Sequence, residues 1–241
     1  MSTFKLQQFS VRQHDNAMKV CTDSLIFGAL VPVNNAPRVL DIGGGTGLLS
    51  LMAAQRGAQH VTTVELIETS SQEAAYNVAQ SPWHDSIDVI TCDINYFTAD
   101  EPFDLIISNP PFFDNHLKND DKLRNTARHT DTLSYRQLLE RAKSLLTPNG
   151  TIALLLPINS LTTIVEIAHS IDLVISKQTD LITTRGGTAK VAVIELVSLL
   201  RFSEATQSPS HTTLTVYESH QQYSEQSARL LQDFLLRFKQ N

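Results

Sequence analysis

The run Val39-Leu40-Asp41-Ile42-Gly43-Gly44-Gly45-Thr46-Gly47-Leu48-Leu49 sets a glycine-rich turn directly between a short apolar stretch and a run of helix formers. Glycine adopts positive φ without steric penalty and, lacking a Cβ, lets the backbone approach a ligand closely. A strand, a glycine turn and a helix in that order predict the first unit of an open α/β sheet, with a nucleotide-type pocket at the end of the strand. A dinucleotide fingerprint needs Gly-x-Gly-x-x-Gly. Counted from Gly43 and Gly45, the sixth position is Leu48, and the glycine falls one residue early, at Gly47.

Outward from this turn, β-branched runs alternate with helical stretches, the pattern of a doubly wound parallel sheet. Strands are predicted near 38–42, 60–65, 87–91, 104–108, 150–156, 171–182 and 190–200, seven in all. Helices are expected over 48–56, 68–80, 134–146 and 158–170, with Pro148-Asn149-Gly150 stopping the third. The last two strands are joined by Thr183-Thr184-Arg185-Gly186-Gly187-Thr188, too short for a crossover helix, so they must pair as an antiparallel hairpin. A Ser/Thr/Pro/Gln-rich stretch, 203–213, separates the sheet from a short strand at 214–218 and a final helix at 224–239. That helix carries Leu230, Leu231, Phe234, Leu235 and Phe238 on one face, a stripe expected to pack on the sheet. No internal repeat is present.

The 241 residues suit one α/β domain with appendages: an N-terminal segment 1–37, a core sheet 38–202 and a C-terminal extension 203–241. Hydrophobic residues at 41% and charged residues at 18% lie in the globular range. No apolar run reaches the ~18 residues that span a bilayer, and the first residues lack a signal-peptide core, so a cytoplasmic protein is expected. Cys21 and Cys92 are too few for a disulfide framework or a zinc site, and His60, His84, His169, His211 and His220 show no ligand spacing; no metal is expected. A net charge of -6 argues against non-specific coating of nucleic acid, although it leaves room for a local basic patch.

Three carboxylates fall at predicted strand ends: Asp41, two residues before Gly43; Glu65, closing the second strand; and Asp93, just after the third. Open α/β sheets bind ligands at this carboxyl edge, and Glu65 can accept hydrogen bonds from both hydroxyls of a ribose. The form Asp-x-Gly-x-Gly-x-Gly resembles the S-adenosylmethionine motif, and five parallel strands followed by a hairpin resemble the class I methyltransferase sheet. This resemblance implies that Asp41, Gly43, Gly45, Gly47 and Glu65 hold S-adenosylmethionine, that Asp93 accepts from the adenine amino group, and that Ile94 lies beside the ring.

The fourth strand ends in Asn109-Pro110-Pro111-Phe112, which resembles the tetrad of methyltransferases acting on planar nitrogens. An exocyclic amine conjugated to a ring is a weak nucleophile until acceptors draw its N–H bonds out of conjugation. The Asn109 side-chain carbonyl and the Pro110 backbone carbonyl are the expected acceptors, stiffened by the prolines, with Asn109 also reaching the cofactor side. Phe112 is expected to stack on a flipped-out base. Adenine-N6 or cytosine-N4, guanine-N2 and glutamine-N5 enzymes all share the tetrad. Glutamine enzymes usually carry a helical domain before the cofactor strand, and guanine enzymes often a second, degenerate methyltransferase domain; here 37 residues precede Arg38.

Within them, His14-Asp15 followed by Ala17-Met18-Lys19-Val20 and Thr22-Asp23 resembles the bacterial family that N6-methylates the adenine beside the anticodon of a valine tRNA. The likeness extends through the tetrad, Ala127-Arg128-His129-Thr130 and the sheet. It implies that Lys19, Thr22 and Asp23 form a lid on the cofactor side and that the partner is tRNA; no obligate protein partner is evident in the sequence, and Thr22 is also placed to N-cap a helix from Asp23. Lys118, Lys122, Arg124, Arg128 and His129 are the expected RNA contacts, with Lys177, Arg185 and Lys190 a second candidate patch. The alternatives are a guanine-N2 methyltransferase acting on ribosomal RNA and, of a different class, an oxidoreductase or a non-catalytic RNA-binding module.

Overall fold

The computed structural model describes residues 2–13, 19–110, 133–204 and 208–239. Its centre is a run of five parallel strands: β3 (Arg38–Ile42), β4 (His60–Glu65), β5 (Ile87–Thr91), β6 (Phe103–Ser108) and β7 (Leu146–Pro157). β3 and β6 are almost wholly buried, as near-continuous apolar runs are when helices cover both faces of a parallel sheet. β8 (Leu173–Thr184) and β9 (Val191–Ser198) form the expected antiparallel hairpin, with β9 inserted between β7 and β8.

The seven expected strands are all present, and two more join the same sheet: β10 (Ser210–Ser219), parallel to β8, and the two-residue β11 (Gln222–Tyr223). The full order is β11-β10-β8-β9-β7-β6-β3-β4-β5. β10 begins four residues earlier than expected, inside the Ser/Thr-rich stretch, because its backbone completes a ladder from Ser210↔Lys177 onward. A separate antiparallel pair, β1 (Ser2–Lys5) and β2 (Ser10–Gln13), was not foreseen; four-residue strands carry too little alternation to be recognised.

Helices α1 (Thr22–Leu30), α2 (Leu48–Gln55) and α3 (Glu68–Ala79), together with β1, β2 and the C-terminal α7 (Glu225–Leu231), cover one face, where Phe27, Leu51, Met52, Leu105 and Leu231 are buried. α4 (Tyr135–Leu145) and α5 (Leu161–Ser170) cover the other, over Leu40, Phe103, Ile106 and Ile152. α6 (Leu199–Glu204) follows β9 directly. Ser134 and Gln137 form a reciprocal capping box at the start of α4.

Three expected boundaries move. α4 stops at Leu145, because Leu146 pairs with Phe103 as the first residue of β7, so Pro148-Asn149-Gly150 forms an irregularity within that strand rather than a helix stop. The segment from Ile158 opens as a 3-10 turn before α5. The final helix ends at Leu231 and resumes only as a 3-10 turn at Leu236–Phe238. In between, the N-terminal segment takes its backbone: Gln7 N–H donates to Phe234 O at 2.8 Å, Gln7 Nε2 to Gln232 O and Leu235 O at 2.6 and 2.9 Å, and Leu6 bridges Leu235. The apolar stripe still packs inward, with Leu231, Phe234 and Leu235 buried.

Candidate functional site

The residues singled out at strand ends fall on four neighbouring strands. In spatial order, Asn109 follows β6, the glycine turn follows β3, Glu65 closes β4 and Asp93 follows β5. Pairing of Ile42 with both Val64 and Ser108 sets the turn between its neighbours, and Ser108 Oγ donates to Ile42 O at 2.8 Å.

The turn is built from backbone bonds. Gly43 N–H donates to Val64 O at 2.8 Å, Gly45 N–H to Glu65 Oε2 at 2.9 Å, and Gly47 N–H to Gly44 O at 2.8 Å. Gly43, Gly45 and Gly47 have φ of 74°, 55° and 79°, the left-handed region in which a side chain is strained. Among the described residues, a Cβ on Gly43 or Gly45 would meet nothing within 4 Å. Gly44, not singled out from the sequence, is required for another reason, since a Cβ there would lie 2.1 Å from the Thr63 methyl.

Asp41 is completely buried. Its Oδ2 accepts from Ser50 Oγ at 2.7 Å, Ser50 Oγ lies 2.6 Å from Thr63 Oγ1, and its Oδ1 has no hydrogen-bond partner among the described residues. Burial raises its carboxyl to about 7, the Glu65 charge adding to the rise and the Ser50 bond opposing it. Glu65, also buried, uses Oε1 to accept from Ile67 N–H at 2.9 Å and Oε2 for Gly45, each oxygen keeping a further lone pair. Asp93 is half-buried and accepts from Asn95 N–H at 2.8 Å. Ile94 packs into the core on the α4/α5 face.

Past Ser108, Asn109 is half-buried and Pro110 buried; Pro111 and Phe112 lie outside the described residues, as do Lys118, Lys122, Arg124, Arg128 and His129. Asn109 Nδ2 donates to Ser24 Oγ at 3.1 Å. Ser24 belongs to α1, and Thr22 at the head of that helix does not cap it: the N-cap is Cys21 without a side-chain bond, and Thr22 Oγ1 instead meets the Tyr217 hydroxyl of β10 at 2.8 Å. Lys19 is exposed, and desolvation raises the Asp23 carboxyl. Of the second basic patch, Lys177 pairs with Glu195 at 3.0 Å and Arg185 with Glu218 at 2.6 Å, so two of its three charges are matched locally; Lys190 is exposed.

Sequence reasoning missed Ser24, Tyr217 and Asn77. Asn77 is buried in α3; its Oδ1 accepts from Arg12 N–H and its Nδ2 donates to Arg12 O and Thr46 O, all at 2.9 Å, tying β2 to the glycine turn. A polar residue between Ala74 and Val78 on a core-facing stripe was its available signal; Ser24 and Tyr217 have none. Among the described residues no helix is long and apolar enough to cross a membrane, and no three His, Cys, Asp or Glu side chains cluster to hold a metal.

Residues 8–165 match the family model of the methyltransferase small domain. The tRNA1(Val) (adenine(37)-N6)-methyltransferase of Bacteroides fragilis is 38% identical over 237 residues, 97% of this chain and 98% of its own. The protein of that name from Pseudoalteromonas translucida is 37% identical over 98% of this chain and all of its own. A glycopeptide N-methyltransferase solved in complex with S-adenosyl-L-methionine shares the fold, with a TM-score of 0.53 and 15% identity over 78% of this chain and 99% of that one. With a domain model over more than half of the chain and relatives aligned from end to end, this chain belongs to the tRNA1(Val) (adenine(37)-N6)-methyltransferase family, on a class I methyltransferase fold.

Proposed function

We propose that this protein transfers a methyl group from S-adenosyl-L-methionine to N6 of adenine 37 in tRNA1(Val). The observation that carries the reading is the adjacency of Asn109 to the glycine turn, on paired strands. The site fits the cofactor: among the described residues nothing stands before Gly43 and Gly45 and a buried Asp41 oxygen lacks a partner, and Glu65 keeps lone pairs for a ribose. Asp41, Gly43, Gly45, Gly47, Glu65, Asp93 and Ile94 would hold it, with Lys19 and Thr22 on the covering segment. When bound, it supplies an electrophilic methyl on a sulfonium that departs as a neutral thioether.

Asn109 Oδ1 and the Pro110 carbonyl accept the two N–H bonds of the adenine amine, which localises the nitrogen lone pair. Phe112 holds the extruded ring by stacking, and unpaired loop bases cost less to extrude than paired ones. The amine gains carbon and loses one proton, which passes to water, so no strong base is required. Lys118, Lys122, Arg124, Arg128 and His129 bind the flanking phosphates.

The test is transfer of labelled methyl to tRNA from a strain lacking this protein, with nucleoside mass spectrometry to identify the product. N6-methyladenosine at position 37 is expected, and Asn109→Ala should lower turnover by roughly two to three orders of magnitude while cofactor affinity holds. A methylated guanine, or unchanged turnover in the variant, would overturn the reading.

A further inference from the structure

An asparagine amide can sit in its pocket either way round, and only one way presents an oxygen to an amine. Nδ2 and Oδ1 occupy nearly the same volume, so shape alone does not choose between them; hydrogen bonding must. Asn109 Nδ2 donates to Ser24 Oγ at 3.1 Å, which turns Oδ1, in the same plane, to the side of the Cβ–Cγ axis away from Ser24.

A hydroxyl both donates and accepts, so Ser24 can discriminate only if its own proton is engaged elsewhere. A second neighbour is available for that proton: Ser24 Oγ lies 3.2 Å from Cys21 Sγ, one helical turn earlier, a pair in which either atom can donate. In the direction the inference requires, the hydroxyl donates to the sulfur and the oxygen lone pairs are left for the Asn109 amide. Ser24 is 6% exposed, so little water competes for either bond. α1 is fixed independently of the amide, by Thr22 against Tyr217 and by Phe27, Ile26 and Leu25 in the core, so Ser24 is a stationary reference.

We infer that Ser24 is a positioning residue for methyl transfer, holding the Asn109 amide with its oxygen toward the substrate amine. The inference rests on Asn109 acting as an acceptor for that amine. Without Ser24 the amide is released over the broad range of its terminal torsion, and a net hydrogen bond of roughly 1 kcal/mol no longer selects one orientation, so the loss should cost about five- to tenfold in productive orientation.

The experiment is a double-mutant cycle in single-turnover conditions with the tRNA substrate. Ser24→Ala should lower the transfer rate five- to tenfold while KM for tRNA, cofactor affinity and the unfolding midpoint stay within twofold or 2 °C, roughly the scatter of independent neutral changes. Ser24→Thr, which keeps the hydroxyl, should recover at least half of the loss. In the Asn109→Ala background, Ser24→Ala should cost less than about twofold, because no amide remains to orient. Losses that multiply across the two positions, or a Ser24→Ala rate equal to that of the unaltered protein, would overturn the inference while leaving Asn109 as acceptor. If Asn109→Ala itself leaves the rate unchanged, the functional reading fails and this inference falls with it.

Discussion

Between Gly43 and Asp93 the sheet edge is held chiefly by backbone groups and by carboxylates on adjacent strands or in the same turn: Gly43 bonds to Val64, Gly45 to Glu65, Ile67 to Glu65 and Asn95 to Asp93. At Asn109 the contacts come from far along the chain. Its amide bonds to Ser24, 85 residues earlier, and the helix carrying Ser24 is seated by a tyrosine 195 residues beyond Thr22. One half of the edge is therefore largely local, with Asn77 its tie to β2, and the other is assembled from both ends of the protein. Substitutions in the first should act on cofactor binding and stability; substitutions in the second should act on turnover.

The largest expected effect is at Asp41. Burial pushes its carboxyl from an ordinary 3.8 up to about 7, so between those two values the folded state holds a proton that the unfolded state has released. The associated stability is complete below about pH 4 and is lost as pH rises through 7. Asp41→Asn mimics the protonated form and should stabilise the cofactor-free protein by on the order of 4 kcal/mol at pH 8, the gain shrinking steadily toward pH 4. Urea unfolding of both proteins across that range checks it; a gain that does not vary with pH would show that the carboxyl is not buried with a raised pKa.

Gly44→Ala comes next. Its methyl would lie 2.1 Å from the Thr63 methyl in a buried, β-branched side chain that cannot swing away, and overpacking of this kind costs about 1–3 kcal/mol. Thr63→Ser removes that methyl while keeping the hydroxyl near Ser50, and should restore more than half of the lost stability and cofactor affinity. Failure of the rescue would mean that the turn depends on contacts beyond its neighbour on β4, and that half of the edge would not be largely local.

The smallest effect belongs to the assembled half. Tyr217→Phe deletes the bond to Thr22 and should cost about 1 kcal/mol of stability, with turnover falling less than tenfold and cofactor affinity falling less than turnover. Calorimetry of the cofactor beside single-turnover rates separates the two quantities. If affinity drops as far as the rate, α1 serves both halves and the distinction between them fails.

The same distinction explains what could be read in advance. Glycine spacing, Asp41, Glu65, Asp93 and the Asn109 tetrad are visible because the backbone forces that need them act within a strand and its following turn. The central strands and the β8–β9 hairpin were legible for the same reason. Ser24, Asn77 and Tyr217 are ordinary residues until folding brings them to Asn109, Thr46 and Thr22, and no local pattern records that encounter. β1, β2 and the broken end of α7 escaped likewise, since Gln7 and Leu6 compete for the backbone around Phe234 only once the two ends meet.

That meeting bears on synthesis. α1 packs on α7, and Thr22 waits for Tyr217, so on the ribosome the helix that carries Ser24 emerges long before the residues that seat it. At about 5–20 residues per second, roughly 10 to 40 s separate the two. During that interval the glycine turn and its carboxylates can already be in place while Asn109 lacks its final support. A nascent chain therefore gains full methylating power only once β10 has joined the sheet beside β8.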